Sequence, residues 1–127
     1  MTGGLSGIHE ILGGLVVVAF IVMVVLAAMT AAGRDERWMR TASVIAAVLL
    51  GLQYLVGVLL LGNGFRNSNE HYVIGLLVLI PVALQHSSAR RLSPQTRGVA
   101  LLIWALAAVF LSVIAYLTGT WGAGGAT

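Results

Sequence analysis

Three histidines are the residues of this chain best suited to bind a metal. His9, His71 and His86 all lie in or beside apolar stretches, where an ionisable side chain is costly and usually serves a function. Gly13 follows four residues after His9, and Gly75 follows four residues after His71. A spacing of four places each glycine on the same helix face as its histidine, one turn further along.

A glycine at that position leaves room for a flat macrocycle beside the backbone while the imidazole reaches the metal. Neutral imidazole is a common ligand of haem iron, and the cores of helix bundles commonly hold cofactors. We therefore predict that His9 and His71 are axial ligands of one haem or other tetrapyrrole, with Gly13 and Gly75 lining its slot. The alternative is that the histidines are interfacial polar residues and the glycines serve close helix packing.

Charged side chains flank this predicted histidine pair. Glu10 follows His9 and Glu70 precedes His71. Either carboxylate could orient an imidazole, contact a haem propionate through a water molecule, or relay protons. The alternative is that both are solvated charges at the level of the lipid headgroups. Arg66, the one cation on the same side, is a candidate partner for a propionate.

Two further polar residues have ordinary explanations. His86 lies fifteen residues beyond His71, about 22 Å along a helix axis. We predict an interfacial role for it at the other membrane face, and the alternative is that it binds a second cofactor. Gln53 lies inside the second apolar stretch with Gly57 one turn further on, and an interhelical hydrogen bond is its usual role.

Four apolar stretches must position these residues, at about 8–32, 41–62, 70–88 and 98–119. Each is long enough for a helix to cross a bilayer core of about 30 Å. Only 9% of the residues are charged and 59% are hydrophobic, whereas soluble domains carry about 25% charged residues. The sequence predicts an all-α integral membrane four-helix bundle, a single transmembrane domain over 1–127, with a bend at Pro81.

Arginines indicate the orientation of these spans. Six of the seven basic residues lie in the connections 33–40 and 89–97, and Arg66 alone lies in 61–69. By the positive-inside rule the chain is up-down-up-down in a bacterial inner (plasma) membrane, with both termini outside. His9 and His71 then lie at similar depth on parallel, diagonal helices. The loop arginines therefore give no reason to expect a nucleic-acid partner, and the absence of cysteine excludes disulfides, thiolate metal sites and covalently attached c-type haem.

Three segments resemble one four-helix half of the haem A synthase family. They are Ile8–Leu15 (IHEILGGL), Leu52–Leu59 (LQYLVGVL) and His71–Leu77 (HYVIGLL). The resemblance covers most of the chain and implies that His9 and His71 are the axial ligands of one b-type haem near the outer surface.

The chain also departs from the pattern of that family. Ser6 stands where the family has a functional glutamate, and Glu10 stands where an arginine often follows the first histidine. The external cysteine pair and the second half are missing. These departures argue against haem-modifying catalysis and leave haem ligation intact.

We predict a b-type haem-binding subunit for electron transfer within a larger respiratory or photosynthetic complex, with the lipid bilayer and other membrane subunits as its partners. An electron carrier or accessory subunit is favoured over an enzyme. Two alternatives stay open: a cofactor-free accessory subunit, and a dimeric haem-modifying enzyme related to haem A synthase.

Overall fold

The structure, a computed structural model, describes residues 2–88 and 90–125 of the chain. These residues form five helices and no strand, which confirms the predicted all-α class. The helices are α1 (Thr2–Ala31), α2 (Arg37–Gly62), α3 (Asn69–Leu77), α4 (Leu79–Ser88) and α5 (Pro94–Gly125).

Three helices, α1, α2 and α5, are long and apolar enough to cross a membrane. Large hydrophobic side chains cover their outer faces, as with Ile11 on α1, Val58 on α2 and Phe110 on α5. So much exposed apolar surface is unfavourable in water and favourable in lipid. The first, second and fourth predicted stretches thus have the properties of membrane-spanning helices. These three helices indicate that the chain is a membrane protein.

The third predicted stretch is divided at Val78, between α3 and α4. Pro81 has no N–H to donate to the carbonyl of Leu77, which weakens the helix at this point. The neighbouring Val78 N–H···O Ile74 and Val82 N–H···O Val78 bonds are correspondingly long, at 3.3 and 3.4 Å. The division lies where the proline predicted a bend. Neither segment alone has the length of a span, and crossing by α3 and α4 together remains a prediction.

Helix α1 packs along both α2 and α5, and α5 in turn packs against α3 and α4. The buried positions of α1 recur every three or four residues, which is the spacing of a single helix face. Small residues allow the closest approach, since a Cβ added at Gly98 of α5 would lie 2.6 Å from the backbone nitrogen of Ala31. The core consists of Val16, Phe20, Met23, Ala27, Met39, Ala46, Leu50, Val78, Leu101, Ala105 and Ala108.

Local signals in the loops fix where the helices end and begin. Gly33 and Gly64 adopt φ of +96° and +87° just after α1 and α2, a conformation that glycine adopts without steric cost. At the start of α3, the Ser68 side chain accepts a hydrogen bond from the His71 backbone N–H at 3.3 Å. This N-cap sets the first turn of the helix that carries His71.

Candidate cofactor site

His9 of α1 and His71 of α3 face one another at one end of the bundle. Their ring centroids are 6.1 Å apart and their planes are inclined at 78°. Both side chains are half-buried. The structure therefore brings together the two histidines that the sequence predicted as a pair.

A backbone carbonyl of α5 sets the tautomer of the His71 ring. His71 Nδ1 lies 2.8 Å from the carbonyl oxygen of Ala115. A carbonyl only accepts hydrogen bonds, so Nδ1 must carry the proton. In the neutral ring Nε2 then keeps its lone pair, which is the usual state of a metal-binding histidine whose other nitrogen is held by a backbone carbonyl.

Gly119 of α5 makes room for the same ring. A Cβ added at Gly119 would lie 2.9 Å from His71 Cε1 and 3.0 Å from Nδ1, distances that side chains do not adopt. The Asn67 amide, in the loop before α3, donates to the Gly119 carbonyl at 3.0 Å. Thus α5 both admits the His71 ring and anchors the loop that leads into its helix.

The His9 ring is held by α2 in a similar way. His9 Nε2 lies 3.3 Å from the side-chain nitrogen of Gln53, and a Cβ added at Gly57 would lie 3.2 Å from His9 Cε1. Each histidine therefore packs against a glycine of a neighbouring helix and is held by one hydrogen bond from that helix. The interhelical hydrogen bond predicted for Gln53 is present, and its partner is His9.

Two buried polar atoms in this pair have no hydrogen-bond partner in the described part of the chain, His9 Nδ1 and Gln53 Oε1. Turning the Gln53 amide by 180° would bring Oε1 to His9 Nε2, which would then carry the ring proton. In that state Gln53 Oε1 is satisfied, Gln53 Nε2 takes the unpartnered position instead, and His9 Nδ1 has a free lone pair. Because an unpaired buried polar atom is costly, this ring nitrogen is suited to a ligand.

A cavity of about 470 Å³ opens between the two histidines and is lined largely by apolar side chains. Gly13 and Gly75, the two glycines predicted to line a cofactor slot, both line this cavity, but in different ways. A Cβ added at Gly75 would meet no atom within 4 Å, whereas one at Gly13 would lie 3.1 Å from the Gln53 side chain. Gly75 thus leaves space in the cavity, and Gly13 allows Gln53 to approach α1.

The charged residues that the sequence placed near the pair lie at different positions. All three are exposed, but Glu10 lines the cavity, whereas Glu70 and Arg66 do not. Arg66 donates through Nη1 to the carbonyls of Leu61 and Phe65, at 3.0 and 2.9 Å. In this arrangement its guanidinium caps the end of α2 rather than facing the histidines.

Three contributions to the site were not predicted from sequence: the Ala115 carbonyl, Gly119, and Tyr54, whose hydroxyl donates to the Gly75 carbonyl. A backbone carbonyl leaves no signature in a sequence. Gly119 had a usable signal, because it ends the fourth apolar stretch, on the side that the expected topology gives to His71.

Among the described residues, no three His, Asp or Glu side chains come close enough to hold a metal ion by themselves. A metal between His9 and His71 would therefore take its remaining ligands from a bound molecule. An ion bound by one nitrogen of each ring, with bonds of about 2 Å, would fit within the 6.1 Å that separates the ring centroids. The unpartnered His9 Nδ1, the His71 tautomer that leaves Nε2 free, and the adjoining cavity are each compatible with a metal-containing ligand such as haem.

Comparisons with protein-family models, with curated proteins and with solved structures found no match to this chain.

Proposed function

We propose that the chain is a small b-type cytochrome subunit in which His9 and His71 bind one haem b. The observation that carries this proposal is the opposition of the two imidazoles at 6.1 Å across an apolar cavity. Hydrogen bonding of His71 Nδ1 to Ala115 supports it, because the nitrogen left free is the one that would face a metal.

The chain's own residues account for binding and orientation. The Ala115 carbonyl fixes the tautomer of His71, Gln53 fixes the ring of His9, and Gly57 and Gly119 let both rings approach. A haem with both axial positions occupied supplies one-electron transfer rather than oxygen chemistry. The apolar lining would disfavour extra charge and so help to set the reduction potential.

The proposed orientation follows the arginine distribution. Four spans run up-down-up-down in a bacterial inner membrane, with α3 and α4 crossing together and both termini outside. The histidine pair then lies towards the outer side. Exposed apolar side chains on three helices leave room for contact with other membrane subunits of an electron-transfer complex.

Expression with ample haem, followed by purification in mild detergent, tests this function. We expect a reduced-minus-oxidised spectrum with the sharp bands of a b-type cytochrome, at about one haem per chain. His9→Ala and His71→Ala should each abolish or strongly reduce these bands. His86→Ala is the matched control, since His86 lies at the other end of the bundle, and it should retain them.

The other candidate functions predict different results in the same experiment. A cofactor-free subunit would show no haem bands in any variant. A haem-modifying enzyme would yield a chemically altered porphyrin by mass spectrometry, whereas our proposal predicts unaltered haem b.

A further inference from the structure

A second cavity, of about 340 Å³, lies at the opposite end of the bundle from the histidine pair. Three arginines line it: Arg40 of α2, Arg90 of the loop between α4 and α5, and Arg97 of α5. Ser43 and His86 complete its polar wall.

The cavity has more arginine side chains than carboxylates paired with them. Arg97 donates to Glu36 at 2.6 Å, and Arg40 lies 4.0 Å from the same carboxylate. Arg90 donates through Nε to the His86 carbonyl at 3.2 Å, which holds its guanidinium at the rim. Within the described residues, both ion pairs of these arginines are with Glu36, so the cavity has an excess of positive charge and favours an anion.

A chain of hydrogen-bonded polar groups forms one wall of the cavity, in which Ser43 and Gln85 are buried and His86 is exposed. Ser43 Oγ lies 3.3 Å from His86 Nε2 and 3.2 Å from Gln85 Nε2. Gln85 is only 3% exposed, and its Oε1 has no partner among the described residues. The Ser43 hydroxyl and the His86 ring thus lie behind the arginines, where both can donate to a bound oxyanion. Gln85 Oε1 can only accept, so its partner would be a hydroxyl of the bound molecule.

We propose that this cavity binds a phosphate group, supplied by the headgroup of an anionic lipid. The planar guanidinium fork matches the geometry of phosphate oxygens. Two apolar lining residues, Val44 of α2 and Leu101 of α5, offer a surface for the adjoining acyl chain. Arg40 and Arg97 lie in the first turns of α2 and α5, where membrane helices meet headgroups. This proposal rests on the membrane location alone and is independent of haem binding.

Lipid retention measured by native mass spectrometry tests the site. The protein is reconstituted in nanodiscs with equal phosphatidylglycerol and phosphatidylcholine, then released, and bound lipid is counted. The double variant Arg40→Gln/Arg90→Gln removes two arginines of the cavity. The matched control is Arg34→Gln/Arg91→Gln, which removes two loop arginines that do not line it. We expect the cavity variant to lose retained phosphatidylglycerol about fivefold more than the control.

An equal loss in the two double variants would overturn the proposal, because general surface charge would then account for the retention. Inorganic phosphate provides the second arm, measured as thermal stabilisation of the detergent-purified protein. Stabilisation that is lost only in the cavity variant, without any lipid preference, would support the phosphate site and assign it to a soluble phosphate. Size-exclusion profiles of both variants show that the fold is kept.

Discussion

Gly119 of α5 lies directly against the imidazole of His71, so closely that a Cβ at Gly119 would lie 2.9 Å from the ring. The same helix holds Nδ1 of that ring through the Ala115 carbonyl, one turn earlier. The position of His71 is therefore set by α5 as much as by its own helix. Substitutions on α5 should consequently change the properties of the site.

We expect Gly119→Ala to displace the His71 ring and to weaken haem binding about fivefold, the factor given by about 1 kcal/mol of overpacking. Haem titration of the detergent-purified apoprotein measures the change. Gly51→Ala on α2 is the control, because a Cβ there meets nothing within 4 Å. Unchanged affinity in Gly119→Ala would show that the ring is not held where the structure places it.

Gln53→Leu should release the His9 ring from its hydrogen bond with α2. Loss of one partner from a buried polar pair costs about 1–3 kcal/mol, so we expect at least about fivefold weaker haem binding and a shifted reduction potential. Gln85→Leu, which removes the buried glutamine of the other end, is the matched control. If both variants kept the parent potential and affinity, Gln53 would have no part in positioning His9.

Gly75→Leu tests whether the cavity is the binding space. Gly75 lines the cavity and nothing lies within 4 Å of an added Cβ, so we expect the larger side chain to occupy cavity space rather than to displace neighbouring residues. We expect apoprotein stability close to the parent and strongly reduced haem occupancy. Gly62→Leu is the control, at another open position of α2 that does not line the cavity. Full haem occupancy in Gly75→Leu would place the cofactor elsewhere.

The ion pair between Arg97 and Glu36 should stabilise the junction of α5 with the loop before α2. Its side chains are 21% and 19% exposed, and the N···O distance is 2.6 Å. A double-mutant cycle with Arg97→Gln and Glu36→Gln should give a coupling free energy of about 1 kcal/mol or more. The longer Arg40–Glu36 pair, at 4.0 Å with Arg40 66% exposed, should give less than about 0.5 kcal/mol. Chemical unfolding in detergent measures both, and equal couplings would contradict the difference in burial.

Hydrophobic length predicted most of the fold. The stretches 8–32, 41–62 and 98–119 correspond to α1, α2 and α5, because a helix that must cross lipid is apolar along its whole length. The observed helices begin earlier than these stretches, since α2 and α5 include the polar residues Arg37–Arg40 and Pro94–Arg97. Hydrophobic composition predicts the apolar part of each helix. It does not predict the residue at which helical hydrogen bonding begins.

The candidate site could be predicted only in part. The repeated His-x-x-x-Gly spacing and the expected topology predicted that His9 and His71 would come together, and the structure places them together. The same pattern gave Gly13 and Gly75 one shared role, yet only Gly75 leaves open space. Contacts between different helices, such as that of Gly57 with His9, depend on how each helix is rotated about its own axis. The spacing of residues within one helix does not predict that rotation.

Electron paramagnetic resonance of the oxidised, haem-loaded protein tests the central claim most directly. Two axial imidazoles create a strong ligand field, so the account predicts a low-spin ferric signal in the parent protein. Replacing either His9 or His71 by Ala should convert any remaining haem to the high-spin form. A high-spin signal in the parent, or a low-spin signal that survives both substitutions, would contradict the pairing of these two histidines on one iron.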